Sequence, residues 1–287
     1  MKYAIISNPK AGMLCTDKKK AVLEEAARIL GDCKVYGLDT KTVEEFMTCA
    51  DDVSKKSGTL IVAGGDGTLH DVINTISPDV VLSYIPLGSG NAIKYALGLP
   101  ETVHETAEQI KNGNQKSLDI ILCDGSRKTF LADIGLGGHI MNERQKHLHE
   151  GKKGRIAYAL ASINQTLNYE RGNATVVADN EILLFNQAWS FVLTKICCTG
   201  YGLNVVPKAK LDDGFIHFLG VNSGWFELLY GMATSFFGKN RTGRYLACQR
   251  VEVLTSKEEY LEIGGDVYKK GTNFLFEILP GSLKMRY

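Results

Sequence analysis

The stretch IVAGGDGTL, residues 61–69, decides the fold of this chain. An apolar run predicts a buried strand, and it leads directly into three glycines, an Asp and a Thr. The apolar residues that follow, Leu69, Val72, Ile73 and Ile76, recur with the spacing of one helix face. Glycines at a strand-to-helix turn let the backbone approach a ligand and adopt positive φ. Free N–H groups and a helix N-terminus favour an anion, so this segment predicts a phosphate-binding turn.

Strands and helices alternate on both sides of this turn. The expected strands are 3–6, 34–38, 60–63 and 80–86, and the expected helices are about 18–30, 42–56, 69–76 and 92–97. This alternation predicts an α/β domain with a doubly wound parallel sheet. Ligands of such sheets bind at the carboxyl ends of the strands.

Three of these strand ends carry residues suited to phosphate or hydroxyl groups, at 8–12 (NPKAG), 64–68 (GGDGT) and 88–91 (GSGN). Loops at one edge of a sheet can converge on one ligand. The pattern is neither a Walker A site nor a GxGxxG dinucleotide fingerprint. Asp66 is unusual here because a carboxylate repels phosphate, and it makes sense if it aligns a hydroxyl or a metal ion.

From about residue 118 the pattern changes to short alternating runs punctuated by Gly, Asp and Asn. Such runs predict a mainly antiparallel β-sandwich. Two helices are expected within it, at 155–167 and 225–237, and two of the short strands are expected at 250–254 and 259–263. We therefore expect a nucleotide-binding domain at 1–124 and a β-rich domain at 125–287. A return of the last residues to the first domain is left open.

The composition excludes several classes of protein. The 287 residues have a net charge of +1, which gives no global attraction to nucleic acid or membranes. The seven cysteines include no CxxC pair, as is typical of free thiols in a reducing cytoplasm. No apolar run approaches the roughly 18 residues of a membrane span.

The motifs together resemble a known family. NPKAG at 8–12 resembles an NPxxG loop, GGDGT at 64–68 a nucleotide loop, PLGSGN at 86–91 a PxGSGN loop, and KAKLDDG at 208–214 a late segment ending in DDG. In this combination the chain resembles the soluble lipid kinases that share the diacylglycerol kinase catalytic domain, which include bacterial lipid kinases and sphingosine kinases. The resemblance implies a first domain like that of NAD kinases and phosphofructokinases.

The resemblance also implies roles for single residues. The residues expected to hold ATP are Asn8, Thr40 (or Thr42), Gly64, Gly65, Asp66, Gly67, Thr68, Ser89 and Asn91. A magnesium site in the second domain would use Asp213 with the backbone carbonyls of Lys210 and Phe215. Asp266 lies in a GGD triplet where the family has DGE, and it would replace the catalytic Glu as base.

The implied activity is ATP- and Mg²⁺-dependent transfer of phosphate to the hydroxyl of a lipid, either diacylglycerol or a long-chain base. Two alternatives stay open. One is a kinase of a soluble substrate such as NAD. The other is a nucleotide- or lipid-binding protein with weakened catalysis, because Asp266 is one methylene shorter than Glu and Gly264 replaces the preceding Asp.

A lipid substrate requires a route from the bilayer. Residues 225–237 are rich in aromatic side chains, and Lys239, Arg241 and Arg244 follow. Aromatic and basic residues together favour peripheral contact with an anionic membrane surface. The alternative is an ordinary helix that covers the sheet. The basic stretch at 144–155 is expected to be a solvated loop.

We expect a cytoplasmic, peripherally membrane-associated protein with a lipid substrate and no nucleic acid partner. Whether it forms a homodimer is left open.

Overall fold

The computed structural model describes residues 1–9, 15–152 and 154–287. The chain divides into two compact units. The first comprises Met1–Ile120, Cys198–Leu203 and Pro280–Tyr287, and the second comprises Ile121–Cys197 and Asn204–Leu279.

The first unit is built on a parallel sheet. Its strands are β1 (Tyr3–Ser7), β2 (Cys33–Tyr36), β3 (Thr59–Gly64) and β4 (Val81–Pro86), paired in the order β2-β1-β3-β4. The last strand of the chain, β14 (Asp266–Arg286), pairs in parallel with β4 through Lys284 and Met285. Every residue of β1 and β3 is buried, as expected for parallel strands that are covered on both faces. The strand order reverses between β1 and β3, which is where such sheets bind ligands.

The helices of this unit are α1 (Thr16–Leu30), α2 (Val43–Ser54), α3 (Asp66–Thr75), α4 (Ala92–Leu97) and α5 (Val103–Asn112). Alternate residues of the strands pack against apolar faces of α1 and α5 in one cluster that includes Ile5, Ile61, Leu23 and Ile110. The sequence did not predict α5. Its signal is a capping box, because Thr102 accepts from the Glu105 amide and donates to the Glu105 carboxylate.

The second unit is mainly antiparallel. Its strands are β6 (Arg127–Thr129), β7 (Leu131–Gly135), β8 (Gly172–Ala178), β9 (Glu181–Ala188), β10 (Ser190–Thr194), β11 (Ile216–Val221), β12 (Arg244–Cys248) and β13 (Arg250–Ile263), with parts of β5 (Gln115–Cys123) and β14. The pairing order is β12-β11-β10-β7-β13-β14, and β8 and β9 extend from β13. Phe185, Phe191, Phe218, Phe274 and Phe276 lie in its core. The predicted fold class, an α/β part with parallel strands followed by a mostly antiparallel β part, is confirmed.

Two details of the second unit differ from the prediction. The expected strands at 250–254 and 259–263 are one continuous strand, β13, whose register with β14 shifts between Leu254 and Glu259. A shift of this kind breaks the alternation that marks a strand in sequence.

Helices occupy more of the second unit than predicted. The helices α7 (Gly154–Asn168) and α8 (Trp225–Phe237) match the two that were expected. A further helix, α6 (Leu136–His149), covers much of the basic stretch that was expected to be a loop. Gly137 and Gly138 disfavour a helix by propensity. They are needed for packing, because a Cβ on Gly138 would lie 2.1 Å from the Tyr260 carbonyl oxygen. Within the described parts of the chain, no helix is long and apolar enough to cross a bilayer.

Candidate active site

The carboxyl ends of β1 to β4 lie at one edge of the parallel sheet and carry the residues expected to hold nucleotide. Asn8 follows β1, Thr40 follows β2, the segment 64–68 ends β3 and begins α3, and Ser89 and Asn91 follow β4. Residues 10–12 of the first expected loop lie outside the described residues. The remaining predicted positions share this edge, as the strand order requires.

The second and third loops touch backbone to backbone. A Cβ on Gly88 would lie 2.6 Å from the Gly65 Cα and 2.7 Å from the Asn91 Oδ1. The Leu87 amide donates to the Gly64 carbonyl at 2.7 Å. Real Cβ atoms essentially never come this close to backbone, so position 88 has to be glycine for the loops to meet.

Asp66 joins these two loops through its carboxylate. Its Oδ2 accepts from the Ala92 amide at 2.8 Å and its Oδ1 from the Ile93 amide at 3.2 Å. These are first-turn amides of α4, which have no partner inside their own helix. The expected Asp at a phosphate loop is therefore explained in part by helix capping. A carboxylate has about four acceptor positions, so Asp66 keeps capacity for a further donor or an ion.

The third loop is held in shape by Asn91. This residue adopts a left-handed conformation with φ of 47°, and its Nδ2 donates to the Gly88 carbonyl at 2.8 Å. The Tyr84 hydroxyl donates to the Gly64 carbonyl at 3.1 Å. Burial, together with the nearby Asp66 carboxylate, raises the pKa of Tyr84, which keeps it a neutral donor. Asn91 therefore shapes the loop, whereas the Ser89 side chain is exposed to solvent.

A buried lysine supports the first loop. Lys19 of α1 is 1% exposed, and its Nζ donates to the carbonyls of Asn8 and Pro9, both at 2.9 Å. Burial lowers the pKa of Lys19. Thr40 is held locally, since its hydroxyl donates to the Gly37 carbonyl at 2.7 Å. The backbone carbonyls of Asn8, Pro9 and Gly37 thus accept from protein donors.

In the second unit, Asp266 follows a two-residue turn between β13 and β14. Gly264 and Gly265 have φ of 64° and 94°, the left-handed region that such hairpin turns require. Glycine at 264, where the family has Asp, therefore suits the turn. Asp266 is exposed, and the Gln145 side-chain amide of α6 lies 3.4 Å from its Oδ1 as a donor.

The residues expected to bind magnesium in the second unit surround a lysine. The Nζ of Lys195 donates to the Asp213 Oδ1 at 2.8 Å and to the Phe215 carbonyl at 2.6 Å. These two oxygens do not fit an added divalent cation, because an ammonium group already lies within hydrogen-bond distance of both. Among the described residues, no group of three or more His, Cys, Asp and Glu side chains is arranged to hold a metal.

The charge on Asp213 is compensated by the same lysine. Burial alone would raise the pKa of Asp213, but the hydrogen bond and charge of Lys195 outweigh it and lower the pKa. His217 lies 3.1 Å from the Asp213 Oδ2 through its Nε2. Burial lowers the pKa of His217, which favours the neutral imidazole.

Comparison with known proteins shows which proteins the chain is similar to. Residues 2–123 match the family model of the diacylglycerol kinase catalytic domain. The diacylglycerol kinase of Bacillus subtilis is 24% identical over 280 residues, which are 91% of this chain and 88% of that protein. The matched domain and this relative support a lipid kinase family that shares this catalytic domain. An uncharacterized Synechocystis protein, sll0036, is 23% identical over 79% of this chain, which spans only 54% of that protein's length.

The fold of the chain has a counterpart among solved structures. The crystal structure of a diacylglycerol kinase from Bacillus anthracis superposes with a TM-score of 0.76 at 19% identity, covering 100% of this chain and 96% of that one. At this identity the likeness concerns the fold.

The sequence did not predict a segment that lies beside the third loop of the first unit. Residues 198–203 belong to the first unit although they follow β10 of the second. The Tyr201 amide donates to the Gly90 carbonyl at 2.9 Å, and a Cβ on Gly90 would lie 3.4 Å from the Gly200 Cα. Only the glycine at each contact point hinted at this approach in the sequence.

The sequence also did not predict a polar cluster beneath α6. The Ser190 hydroxyl donates to the Asp133 Oδ1 at 2.5 Å. Burial raises the pKa of the Asp133 carboxyl to about 7, and the bond from Ser190 only partly offsets this. The Nε2 of His139 lies 2.9 Å from the carboxylate of Glu259, which is 3% exposed. Asp133 follows two apolar residues in a run that resembles a strand. The spacing of apolar residues therefore did not indicate that Asp133 has a polar partner.

Proposed function

We propose that this protein transfers the γ-phosphate of ATP to the hydroxyl group of a lipid, either diacylglycerol or a long-chain base. The approach of Gly65 to Gly88 carries the proposal, because it brings two glycine loops together beside the first turn of α3. Amide groups and a helix N-terminus in one place favour a polyphosphate. Similarity to the diacylglycerol kinase catalytic domain supports a lipid as the acceptor.

The first unit would serve as the nucleotide domain. The backbone of 64–68 would hold the phosphates, and Asn8, Thr40, Ser89 and Asn91 would contact or shape the nucleotide site. Mg²⁺, held by the phosphate oxygens and by Asp66 directly or through water, would neutralise the charge of the transferred group. Catalysis of phosphoryl transfer depends mainly on positioning and charge, and a rigid backbone cradle supplies the positioning.

The second unit would supply the base. The lipid hydroxyl must lose its proton as it attacks, and Asp266 is the proposed acceptor. Its carboxylate is exposed, and Gln145 holds one of its oxygens. The preceding glycines, at positive φ, bring the side chain out of a tight turn without strain.

The membrane surface is proposed to contact α8 of the second unit. The residues of α8 that are buried are small, Gly231 and Ser235. Its large apolar side chains point outward, and Phe226 and Phe237 are 90% and 86% exposed. A helix that covers a sheet buries its large apolar side chains, whereas α8 exposes them. This disfavours the alternative that α8 is an ordinary helix covering the sheet. Aromatic residues followed by basic ones favour an anionic lipid surface.

A second helix adds to this apolar surface. In α7 the side chains of Ile156, Ile163 and Leu167 are 53%, 62% and 68% exposed. The end of α7 and the start of α8 are joined through the ring of Trp189, which lies 6.2 Å from Tyr169 and 4.9 Å from Trp225, between centroids. Exposed apolar area of this kind marks an interaction site, and a lipid surface matches the proposed substrate.

An ATP-consumption assay tests the proposed function. Diacylglycerol, sphingosine, undecaprenol and NAD are offered in turn, and turnover is expected with one of the lipids and not with NAD. Asp66→Asn is the inactive control. Turnover with NAD alone would contradict the proposal. Co-sedimentation with vesicles that contain or lack anionic lipid tests the membrane contact, and absence of binding at low salt would refute it.

A protein that binds nucleotide and lipid without turnover is the second candidate. The observation in its favour is Asp266, whose side chain is one methylene shorter than the Glu of the family and is exposed. Tight ATP binding with no turnover on any of the substrates would support it.

A further inference from the structure

Lys195 lies where the family resemblance places a divalent cation. It follows β10 directly and is 0% exposed. Its Nζ is 2.8 Å from the Asp213 Oδ1 and 2.6 Å from the Phe215 carbonyl oxygen. These are two of the three oxygens that were expected to coordinate magnesium, and they come from the DDG triplet and from the residue that follows it.

An ammonium group and a magnesium ion are mutually exclusive at this position. Magnesium requires oxygen ligands at about 2.0–2.1 Å in near-octahedral geometry. An ion that contacted both oxygens would occupy the space of the lysine nitrogen, and the two positive charges would repel each other. A buried ammonium in turn needs a counter-charge and acceptors, and Asp213 and Phe215 provide them.

The surrounding groups complete a network that needs no metal. The Lys210 amide lies 3.1 Å from the His217 Nε2, and the same nitrogen lies 3.3 Å from the Asp213 Oδ1. The His217 Nδ1 pairs with the Tyr245 hydroxyl at 2.7 Å. The Asp213 Oδ1 also accepts from the Phe215 amide at 3.3 Å. Each end of the segment 210–215 is therefore fixed by protein groups.

We infer that the Lys195 ammonium group replaces the divalent cation in this chain and, together with these hydrogen bonds, holds the segment 210–215. The second unit is then stable without divalent metal, and any magnesium used by the protein arrives with the nucleotide. This inference concerns a site other than the proposed nucleotide site and does not rest on the proposed function.

The test measures metal binding in the absence of nucleotide. Mn²⁺, which suits the same oxygen ligands, is titrated into the wild-type chain, Lys195→Ala and Lys195→Met, and bound ion is measured by electron paramagnetic resonance. The thermal midpoint is recorded with Mg²⁺ and with EDTA. Lys195→Met preserves side-chain bulk without the charge. Lys270→Ala, at an exposed lysine, controls for the loss of a positive charge.

The wild-type chain is expected to bind no Mn²⁺ at this site, and its thermal midpoint is expected to be the same in Mg²⁺ and EDTA. Lys195→Ala is expected to be destabilised, to bind one Mn²⁺ and to regain stability with Mg²⁺. Lys195→Met is expected to be destabilised without this rescue, because its side chain fills the space. Addition of Asp213→Asn to Lys195→Ala is expected to abolish the rescue.

Binding of Mn²⁺ by the wild-type chain that Asp213→Asn removes would overturn the inference. This measurement needs only the natural chain and a charge-removing variant, so it holds even if Lys195→Ala fails to fold. Equal metal responses of Lys195→Ala and Lys195→Met would overturn it as well.

Discussion

Replacement of Asp133 by Asn is expected to remove a pH dependence from the stability of the second unit. Burial raises the pKa of this carboxyl from 3.8 to about 7. Because the folded state favours the protonated form, the stabilisation is present in full below about pH 4 and is lost as the pH rises through about 7. A difference of about three units corresponds to about 4 kcal/mol of unfolding free energy. Asn cannot ionise, and its oxygen can still accept from Ser190.

The assay is urea unfolding followed by tryptophan fluorescence between pH 4 and pH 8. Trp189 and Trp225 are the two tryptophans of the chain and both lie in the second unit, so the signal reports on that unit. The variant and the wild type are expected to be similar at pH 4, and the variant to be more stable by up to about 4 kcal/mol at pH 8. Asp212→Asn, at an exposed Asp, is the control. Parallel pH profiles for the wild type and Asp133→Asn would refute the reasoning.

Three further predictions concern the proposed site and the membrane contact. Gly88→Ala is expected to weaken nucleotide binding about tenfold in calorimetry, because its Cβ would meet the Gly65 backbone; unchanged affinity would contradict this. Asp66→Asn is expected to abolish turnover. It is also expected to lower the free energy of unfolding in urea by about 1.5–3 kcal/mol, because a charge-assisted hydrogen bond is lost. Asp52→Asn, at an exposed Asp, is expected to change neither turnover nor stability. Phe226→Ser is expected to weaken vesicle co-sedimentation roughly ten- to a hundredfold through the lost burial of one aromatic ring; unchanged binding would exclude this side chain from the contact.

The fold of the first unit could be predicted from the sequence because the residues that indicate it act through local steric effects. Gly65, Gly88 and Gly90 mark points where backbone approaches backbone. Because the strands are parallel, their carboxyl ends lie at one edge of the sheet, and no further information was needed to predict this. The sequence did not show that residues 198–203 belong to the first unit. A short segment that returns to a unit leaves no regular spacing of apolar residues by which it could be recognised.

The structure of the second unit was less predictable because contacts between residues far apart in the sequence determine it. Gly137 and Gly138 argue locally against a helix, yet α6 forms, since Gly138 packs against the Tyr260 carbonyl. The continuous strand β13 was divided because its register shifts after Leu254. The orientation of α8 was also undecided: its composition suits a buried helix, and only the placement of Ser235 on the inner side shows that its large side chains face outward.

Asp66 and Asp213 were both expected to serve phosphate or metal chemistry, and both have protein donors. Asp66 accepts two backbone amides, and Asp213 accepts the ammonium group of Lys195. The difference between them lies in charge. Two neutral amides leave the negative charge of Asp66 uncompensated and available to an ion, whereas Lys195 cancels the charge of Asp213. If the protein has a magnesium requirement, it should therefore follow the concentration of the magnesium–nucleotide complex, with no separate requirement from the second unit. A magnesium activation that persists after the nucleotide is fully complexed, and that Asp213→Asn removes, would contradict this distinction.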